Sequence, residues 1–283
     1  MVLFVTALMI EALPIIEHFK LKRDMDIHEY AVYKNQDMVL IVSGVGKIRS
    51  AVALAYLYAK TGATEKDIAI NIGFCGASNK KYPLGTLLII NKIIDMDTGK
   101  HYYPDVFFGR QFPKESLHCY SKVLQTADMD KRDQGPDIFC DMESAGFMEA
   151  AKKFFYAHNI AVLKLISDYL EPDNLNKTQL KGFVQKHLSN LETIINELKQ
   201  INTNCQEFSF TEEEKEVFIN LSQNLQFTEA MKQMFIKEMK IYKLKGGNPL
   251  SILKPFMDEK ANTKDEAKKF FEQIKQRSRE TNV

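Results

Sequence analysis

The chain of 283 residues is long enough for one large domain or two smaller ones, and its hydrophobic fraction of 45% can supply a sizeable core. Its 38 basic and 37 acidic residues nearly cancel, which argues against a nucleic-acid-binding surface, because such a surface carries a basic excess. No apolar run reaches membrane-spanning length. These properties indicate a globular protein that contacts neither nucleic acid nor membrane.

The cysteines and histidines indicate neither disulfides nor a metal site. The four cysteines, Cys75, Cys119, Cys140 and Cys205, are scattered without CxxC spacing. A chain of this size without a disulfide pattern is typical of the cytoplasm, where thiols stay reduced. The six histidines lack metal-ligand spacing, so we expect no metal and no cofactor. The apolar first ten residues have neither a preceding basic segment nor a following cleavage site, and we interpret them as a buried strand.

Strand-like and helix-like patterns alternate from the start of the chain. Apolar residues 2–7 predict a buried strand, and Glu11 opens the helical pattern that follows. Two β-rich runs at residues 30–33 and 38–42 flank a polar turn and predict a hairpin. The second run ends in residues 43–47, Ser-Gly-Val-Gly-Lys, before a helix that extends to about residue 60. This turn places backbone amides at a strand end, but it matches neither a dinucleotide fingerprint nor a P-loop.

Further strands are predicted in the middle of the chain. Residues 68–72 form an apolar run that ends in a Gly-Phe-Cys-Gly turn, and residues 84–94 form a longer run. The aromatic residues at 101–105 follow neither a helical nor a strand period, which favours a loop that lines a pocket. Residues 123–127 predict a short strand.

Two later strands end in acidic residues. After a predicted turn at Gly135-Pro136, apolar residues 138–140 run into Asp141-Met142-Glu143, and a helix is predicted from 144 to 156. Acidic residues also suit a helix N-terminus because of its dipole, so these two carboxylates have an alternative structural explanation. Residues 160–167 form the next predicted strand, which ends at Asp168.

Glu11, Glu143 and Asp168 each follow a predicted buried strand. The alternation of strands and helices predicts an α/β fold, with a mixed central sheet because of the hairpin. Ligands of such sheets bind in the crevice beyond the carboxyl ends of the strands, so we expect the three carboxylates to converge there. Together they would supply a base, an acid and an anchor for hydroxyl groups. We expect Asp141 to serve only the helix end.

The pattern becomes entirely helical near the C-terminus. One long amphipathic helix is predicted over residues 176–199. Further helices are predicted at residues 211–222, 228–242, 249–257 and 264–279. Thr211 followed by Glu214 is typical of a capping box. We therefore predict an α/β domain over residues 1–200 and an all-helical extension over residues 201–283.

Five stretches, all at predicted strand ends and in one order, resemble those of a known family. The chain resembles the nucleoside phosphorylase superfamily and, within it, the 5′-methylthioadenosine/S-adenosylhomocysteine nucleosidases. The resemblance covers roughly residues 1–200, and its specificity comes from the combination, because no single motif is strong. The matching stretches are residues 6–11, 43–47, 71–76, 141–145 and 166–168.

The resemblance implies a role for each matching residue. Glu11 corresponds to the residue that activates the attacking water, and Glu143 to the one that binds the ribose hydroxyls, with Met142 against the sugar. Asp168 corresponds to the acid that protonates N7 of the leaving purine, and Ser167 helps to hold it. Cleavage of the N-glycosidic bond develops positive charge on the sugar, which nearby carboxylates stabilise, and negative charge on the base, which a proton donor relieves.

The resemblance also implies that Phe74, Cys75 and Gly76 lie beside the base and sugar, although the first two are bulkier than is usual in the family. Phosphorylases of the superfamily bind phosphate with arginine and backbone amides near the end of the first strand. Here that turn carries Glu11, which would repel phosphate and suits a water nucleophile, so the sequence favours hydrolysis. Lys47 and Arg49 are the residues that would favour a phosphorylase instead.

Two further expectations concern partners and activity. Small nucleosidases of the family are homodimers in which the neighbour closes the 5′ pocket, and Val45 and the Tyr102-Tyr103 loop are the expected contacts. The partner otherwise expected is a small nucleoside. The alternative to an enzyme is a catalytically inactive nucleoside-binding or scaffold protein, for which bulky Phe74 and Tyr169 are the motivation.

Overall fold

In the computed structural model, a mixed β-sheet with helices on both faces forms the centre of the unit Met1–Cys205, which confirms the expected α/β class. The structure describes residues 1–125, 137–171, 176–204 and 209–280, and within them ten strands share one sheet. The strands are β1 (Val2–Thr6), β2 (Lys22–Arg23), β3 (Ala31–Lys34), β4 (Met38–Val42), β5 (Ile68–Ala77), β6 (Leu87–Asp95), β7 (His101–Tyr102), β8 (Lys114–Cys119), β9 (Phe139–Asp141) and β10 (Ile160–Asp168).

Five of these strands close into a ring. β5 pairs with β10, β10 with β6, β6 with β8, β8 with β9, and β9 returns to β5. From β5 the sheet continues outward through β1, β4, β3 and β2, and the expected hairpin is the antiparallel β3–β4 pair. β1, β9 and β10 each end in a polar residue, Thr6, Asp141 and Asp168. β1 and β10 run parallel to β5 and β9 runs antiparallel to it, and these pairings place the three polar ends beside the carboxyl-terminal half of β5.

Helices cover the two faces of this sheet. On one face α2 (Lys47–Thr61) packs against α3 (Ser144–Phe154) over an apolar core that includes Leu54 and Phe147. On the other face α1 (Met9–His18) packs against α4 (Lys177–Lys186) and α5 (Leu188–Asn204). The helical periodicity of the sequence therefore places each apolar stripe against the sheet.

Several elements differ from the sequence-based expectation. β5 continues past residue 72 to Ala77, and the strands β2, β7 and β8 were not predicted. Residues 123–125 form no strand, while residues 126–127 and the Gly135-Pro136 turn lie outside the described residues. The helix expected over residues 176–199 is two helices, because the chain breaks at His187, whose Nε2 lies 2.8 Å from the carbonyl oxygen of Gly85.

The remaining helices belong to a second compact unit, Gln206–Val283, and the sheet belongs to the first, Met1–Cys205. Its helices are α6 (Glu212–Asn224), α7 (Glu229–Leu244), α8 (Pro249–Leu253) and α9 (Lys264–Glu280). Thr211 and Glu214 form the expected capping box at the start of α6. α8 ends earlier than expected because Pro255 cannot donate the next helical hydrogen bond, and a 3₁₀ turn follows at Lys254–Phe256. Phe235 and Phe271 both pack on Phe227 in the core of this unit.

No helix in the described ranges is long and apolar enough to cross a membrane.

Candidate active site

A cavity of ≈ 220 Å³ lies where β1, β5, β9 and β10 end. Every residue that the sequence singled out for catalysis or substrate binding lines it. These residues are Glu11, Phe74, Cys75, Gly76, Met142, Glu143, Ser167 and Asp168. The strands that carry or precede them are far apart in sequence, and the pairing of β1, β9 and β10 with β5 brings the residues together.

Glu11 is buried in the first turn of α1, and backbone amides hold its carboxylate. Its Oε2 accepts hydrogen bonds of 2.8 Å from the N–H groups of Ala7 and Leu8, and its Oε1 accepts one of 3.0 Å from Phe74. Burial raises the pKa of Glu11 above its ordinary value, although these amides and the charge of Lys164 act in the opposite direction. Glu11 is therefore a rigidly held carboxylate with more basic character than an exposed glutamate.

The carboxylate of Glu11 lies directly against the backbone of Gly73, where a side chain would leave it no room. A Cβ at Gly73 would lie 2.9 Å from Oε1 of Glu11, a distance that real side chains essentially never adopt. The glycine in the middle of β5 thus leaves room for the carboxylate above the sheet.

Glu143 directly precedes α3 and also lies at the cavity. Its Oε1 accepts a hydrogen bond of 2.9 Å from the N–H of Gly46, in the glycine turn that the sequence predicted. Burial, followed by the charge of Asp141, raises the pKa of Glu143 to about 7, with Lys164 and the Gly46 amide opposing the rise. One carboxylate oxygen is thus anchored on the protein, which orients the group toward the cavity.

Lys164 is a site residue that the sequence interpretation missed. It lies in the middle of β10, and its Nζ is 2.9 Å from Oδ2 of Asp141, with side chains only 1% and 0% exposed. Burial alone would lower the pKa of Lys164, but the charges of Asp141, Glu143 and Glu11 outweigh it and raise the pKa. A lone lysine inside an otherwise apolar strand was the available signal, because buried lysines are almost always paired.

Asp141 has two roles, where one was expected. It caps α3, because its carboxylate accepts hydrogen bonds from the backbone N–H (2.8 Å) and hydroxyl (2.7 Å) of Ser144. It also forms the buried ion pair with Lys164. The expectation that Asp141 serves only the helix end is therefore wrong, because the same carboxylate neutralises the cation beneath the cavity.

Asp168 ends β10 at the opposite side of the cavity from the first strand. Ser167 donates a hydrogen bond of 2.5 Å to its Oδ2, and the Ser167 hydroxyl also lies 3.1 Å from the carbonyl oxygen of Cys75. Leu170 covers this corner with an unusual backbone φ of 61°, and its side chain packs with Ile138 and Cys140. A buried leucine in the left-handed region is strained, and such strain concentrates at ligand sites.

Residues 101–105 were expected to form a loop, but their first two residues form strand β7. They line a pocket, as expected, but not the carboxylate-lined one. His101, Tyr102, Tyr103 and Pro104 line a separate cavity of ≈ 320 Å³ against α3. The segment from Tyr120 to Leu124, for which the sequence predicted no role in a site, contributes to the carboxylate-lined cavity instead. Within the described ranges there is no cluster of three or more histidine, cysteine or acidic side chains suited to a metal ion.

Comparison with known proteins gives a family and a fold. The model of the family described as the phosphorylase superfamily matches residues 5–132. No curated protein matches the chain significantly. A Helicobacter pylori structure of an MTAN mutant with 5′-methylthioadenosine in the active site has a TM-score of 0.58 at 13% identity, and covers 69% of this chain and 98% of that one.

Two further solved structures have the same fold. The Streptococcus pneumoniae 5′-methylthioadenosine/S-adenosylhomocysteine nucleosidase with a transition-state inhibitor has a TM-score of 0.57 at 15% identity, over 69% of this chain and 97% of that one. The futalosine hydrolase of Helicobacter pylori has a TM-score of 0.53 at 14% identity, with the same coverage. The predicted resemblance is confirmed: the chain matches the phosphorylase superfamily in sequence, and its fold is similar to that of these nucleosidases.

Proposed function

We propose that the protein is an enzyme that hydrolyses the N-glycosidic bond of a purine nucleoside similar to 5′-methylthioadenosine or S-adenosylhomocysteine. One observation carries the proposal: Glu11, Glu143 and Asp168 come from the ends of three strands and line one cavity. The cavity lies wholly in the unit Met1–Cys205. We assign catalysis to this unit and propose that residues 201–283 form a separate helical domain.

The geometry supports a different role for each of the three carboxylates. Glu11 is the general base that orients and activates water, since burial strengthens it as a base and three amides fix its position. Glu143 binds the ribose hydroxyls, with Met142 against the sugar. Asp168, held by Ser167, donates a proton to N7 of the departing purine.

The charge distribution also suits the transition state. As the glycosidic bond breaks, positive charge develops on the ribose and negative charge on the base. Glu11 and Glu143 stabilise the ribose charge, while Lys164 balances the carboxylates from below without lining the cavity. Water therefore attacks at the sugar carbon, and the electron pair of the broken bond leaves with the protonated purine.

Hydrolysis is favoured over phosphorolysis because the groups that would bind phosphate either have other partners or do not line the cavity. Glu11 already occupies the amides of Ala7, Leu8 and Phe74. Lys47 binds Asp95 and Asp97, and Arg49 lies exposed against Gly44 without lining the cavity. A carboxylate at this turn repels an incoming phosphate.

Phosphorolysis is the second candidate because Lys122, on the exposed segment after β8, lines the cavity. A lysine there supplies a positive charge that a phosphate nucleophile would use. Phosphate dependence of turnover separates the two reactions.

The proposed function is tested by measuring free purine released from 5′-methylthioadenosine, with and without phosphate. We expect the same rate in both buffers, because water is the nucleophile. Glu11→Gln should lower kcat by about 100- to 10,000-fold, the usual contribution of a general base. Glu17→Gln is a matched control, since Glu17 lies on the same helix and pairs with Lys181 at 3.2 Å near the surface. Turnover only with phosphate would indicate a phosphorylase, and no turnover of any purine nucleoside would favour a binding or scaffold protein.

We propose that the protein is a homodimer whose interface includes the start of α2. Val45 lines the cavity and is exposed, and Ile48 and Val52, one helical turn apart, are 81% and 51% exposed. Exposed apolar residues grouped in this way mark association surfaces. Light scattering should give a dimer for the wild type and a monomer for Ile48→Asp. Ile219→Asp, which changes an isoleucine 58% exposed on α6, should leave the dimer intact. A monomeric wild type would contradict the proposal.

We propose further that the protein works in the cytoplasm. Cys75, Cys119 and Cys140 are free and buried, which suits a reducing compartment.

A further inference from the structure

Lys47 lies at the junction of three segments around the cavity without lining it. It begins α2, and its side chain is 14% exposed. Its Nζ contacts Oδ1 of Asp95 and lies 2.5 Å from Oδ2 of Asp97. Two carboxylates on one mostly buried ammonium group make a specific contact, because both partners must be in place to offset the desolvation of the lysine.

The first segment that Lys47 holds is the glycine turn. The N–H of the preceding residue, Gly46, donates to Oε1 of Glu143 over 2.9 Å. The backbone of Lys47 also packs tightly on α3: a Cβ at Gly146 would lie 1.8 Å from the carbonyl oxygen of Lys47. A displacement of Lys47 would therefore move the amide that orients Glu143.

The second and third segments meet at Asp97. This residue belongs to the turn after β6, where Asp95 accepts a hydrogen bond of 2.7 Å from the Thr98 hydroxyl. Asp97 also accepts a hydrogen bond from the hydroxyl of Ser121, which belongs to the Tyr120–Leu124 segment on the cavity wall. Through these contacts the ammonium group of Lys47 connects the glycine turn, the turn after β6 and the Tyr120–Leu124 segment of the cavity wall.

We propose that Lys47 is a positioning residue that gives the site its selectivity for an intact ribose diol. It acts through Gly46 on Glu143, and through Asp97 and Ser121 on the cavity wall. The inference rests on the proposed function, because it assumes that Glu143 binds the ribose hydroxyls. Mutation of a residue that only orients a ligand-binding side chain commonly lowers the affinity for the ligand, although the residue does not contact the ligand.

The test compares adenosine with 2′,3′-dideoxyadenosine in Lys47→Met. We expect KM for adenosine to rise by about tenfold, equivalent to about 1.4 kcal/mol, because Glu143 loses its fixed orientation. KM for the dideoxynucleoside should change by less than about twofold, because this compound has no hydroxyls for Glu143 to bind. Lys47→Arg, which keeps the charge, should restore most of the affinity for adenosine.

Two other variants complete the design. Lys81→Met is a matched control, because Lys81 also binds two carboxylates, Glu115 at 2.9 Å and Asp137 at 2.7 Å, none of which lines the cavity. It should leave the ratio of the two KM values unchanged. Asp97→Asn removes only one half-exposed partner of Lys47, so it tests the same connection if Lys47→Met fails to fold. We expect it to raise KM for adenosine by about threefold, less than the loss of the whole ion pair.

The outcomes separate this inference from the proposed function. An equal loss on both nucleosides, or no loss on either, would overturn the positioning role while hydrolysis by the wild type stands. Calorimetric binding of both nucleosides in the Glu11→Gln background, in which turnover is slow, gives the same comparison. If the wild type neither binds nor turns over any purine nucleoside, 5′-methylthioadenosine included, the proposed function and this inference are overturned together.

Discussion

Asp168→Asn should lower kcat for purine release by about 100- to 10,000-fold, because the variant cannot donate a proton to the departing base. Ser167 can still hydrogen-bond to the new amide, and the cavity keeps its shape, so KM should change little. Release of adenine from 5′-methylthioadenosine, followed under single-turnover conditions, measures the chemical step directly.

The leaving group provides the sharpest control for this variant. A 4-nitrophenyl riboside expels an anion that needs no proton, so Asp168→Asn should hydrolyse it at a rate within a few-fold of the wild type. Asp137→Asn, which alters a surface carboxylate paired with Lys81, should leave both rates unchanged. Equal losses on the purine nucleoside and the nitrophenyl riboside would show that Asp168 acts in binding or folding, not as the acid.

Lys164→Met should destabilise the fold by about 3–5 kcal/mol, the usual result of removing one partner from a buried ion pair. The substitution leaves Asp141 buried and charged beside Glu143, with no cation between them. For a unit of this size the loss corresponds to a fall in Tm of roughly 10 °C. Thermal unfolding followed by circular dichroism measures it.

A second substitution separates the ion pair from packing. Asp141→Asn in the Lys164→Met background removes the uncompensated charge, so the double variant should regain much of the lost stability. Lys81→Met, at an exposed pair, should cost about 1 kcal/mol or less. Additive losses in the double variant would mean that Lys164 contributes by packing alone.

The sequence predicted the three carboxylates because each follows a buried strand, a position that local patterns reveal. Lys164 was missed because its partner is distant in sequence, and only the fold brings Asp141 within reach of it. β8 was missed because Lys-Glu-Ser-Leu-His-Cys has no clear alternation of apolar residues, and the strand is stabilised by its neighbours β6 and β9. The break at His187 likewise depends on a carbonyl group distant in sequence.

The ring of strands also governs the order in which the site can form during synthesis. β1, β4 and β5 are adjacent early elements, so half of the sheet, together with Glu11, can assemble while the chain is still short. The ring cannot close until β10 pairs with β5 and β6, and Asp168 is the last residue of β10. Because loop closure over such distances is slow, the nascent chain would hold Glu11 in position well before Asp168 joins it late in folding. The three carboxylates that line the cavity would therefore come together only when β10 has joined the sheet.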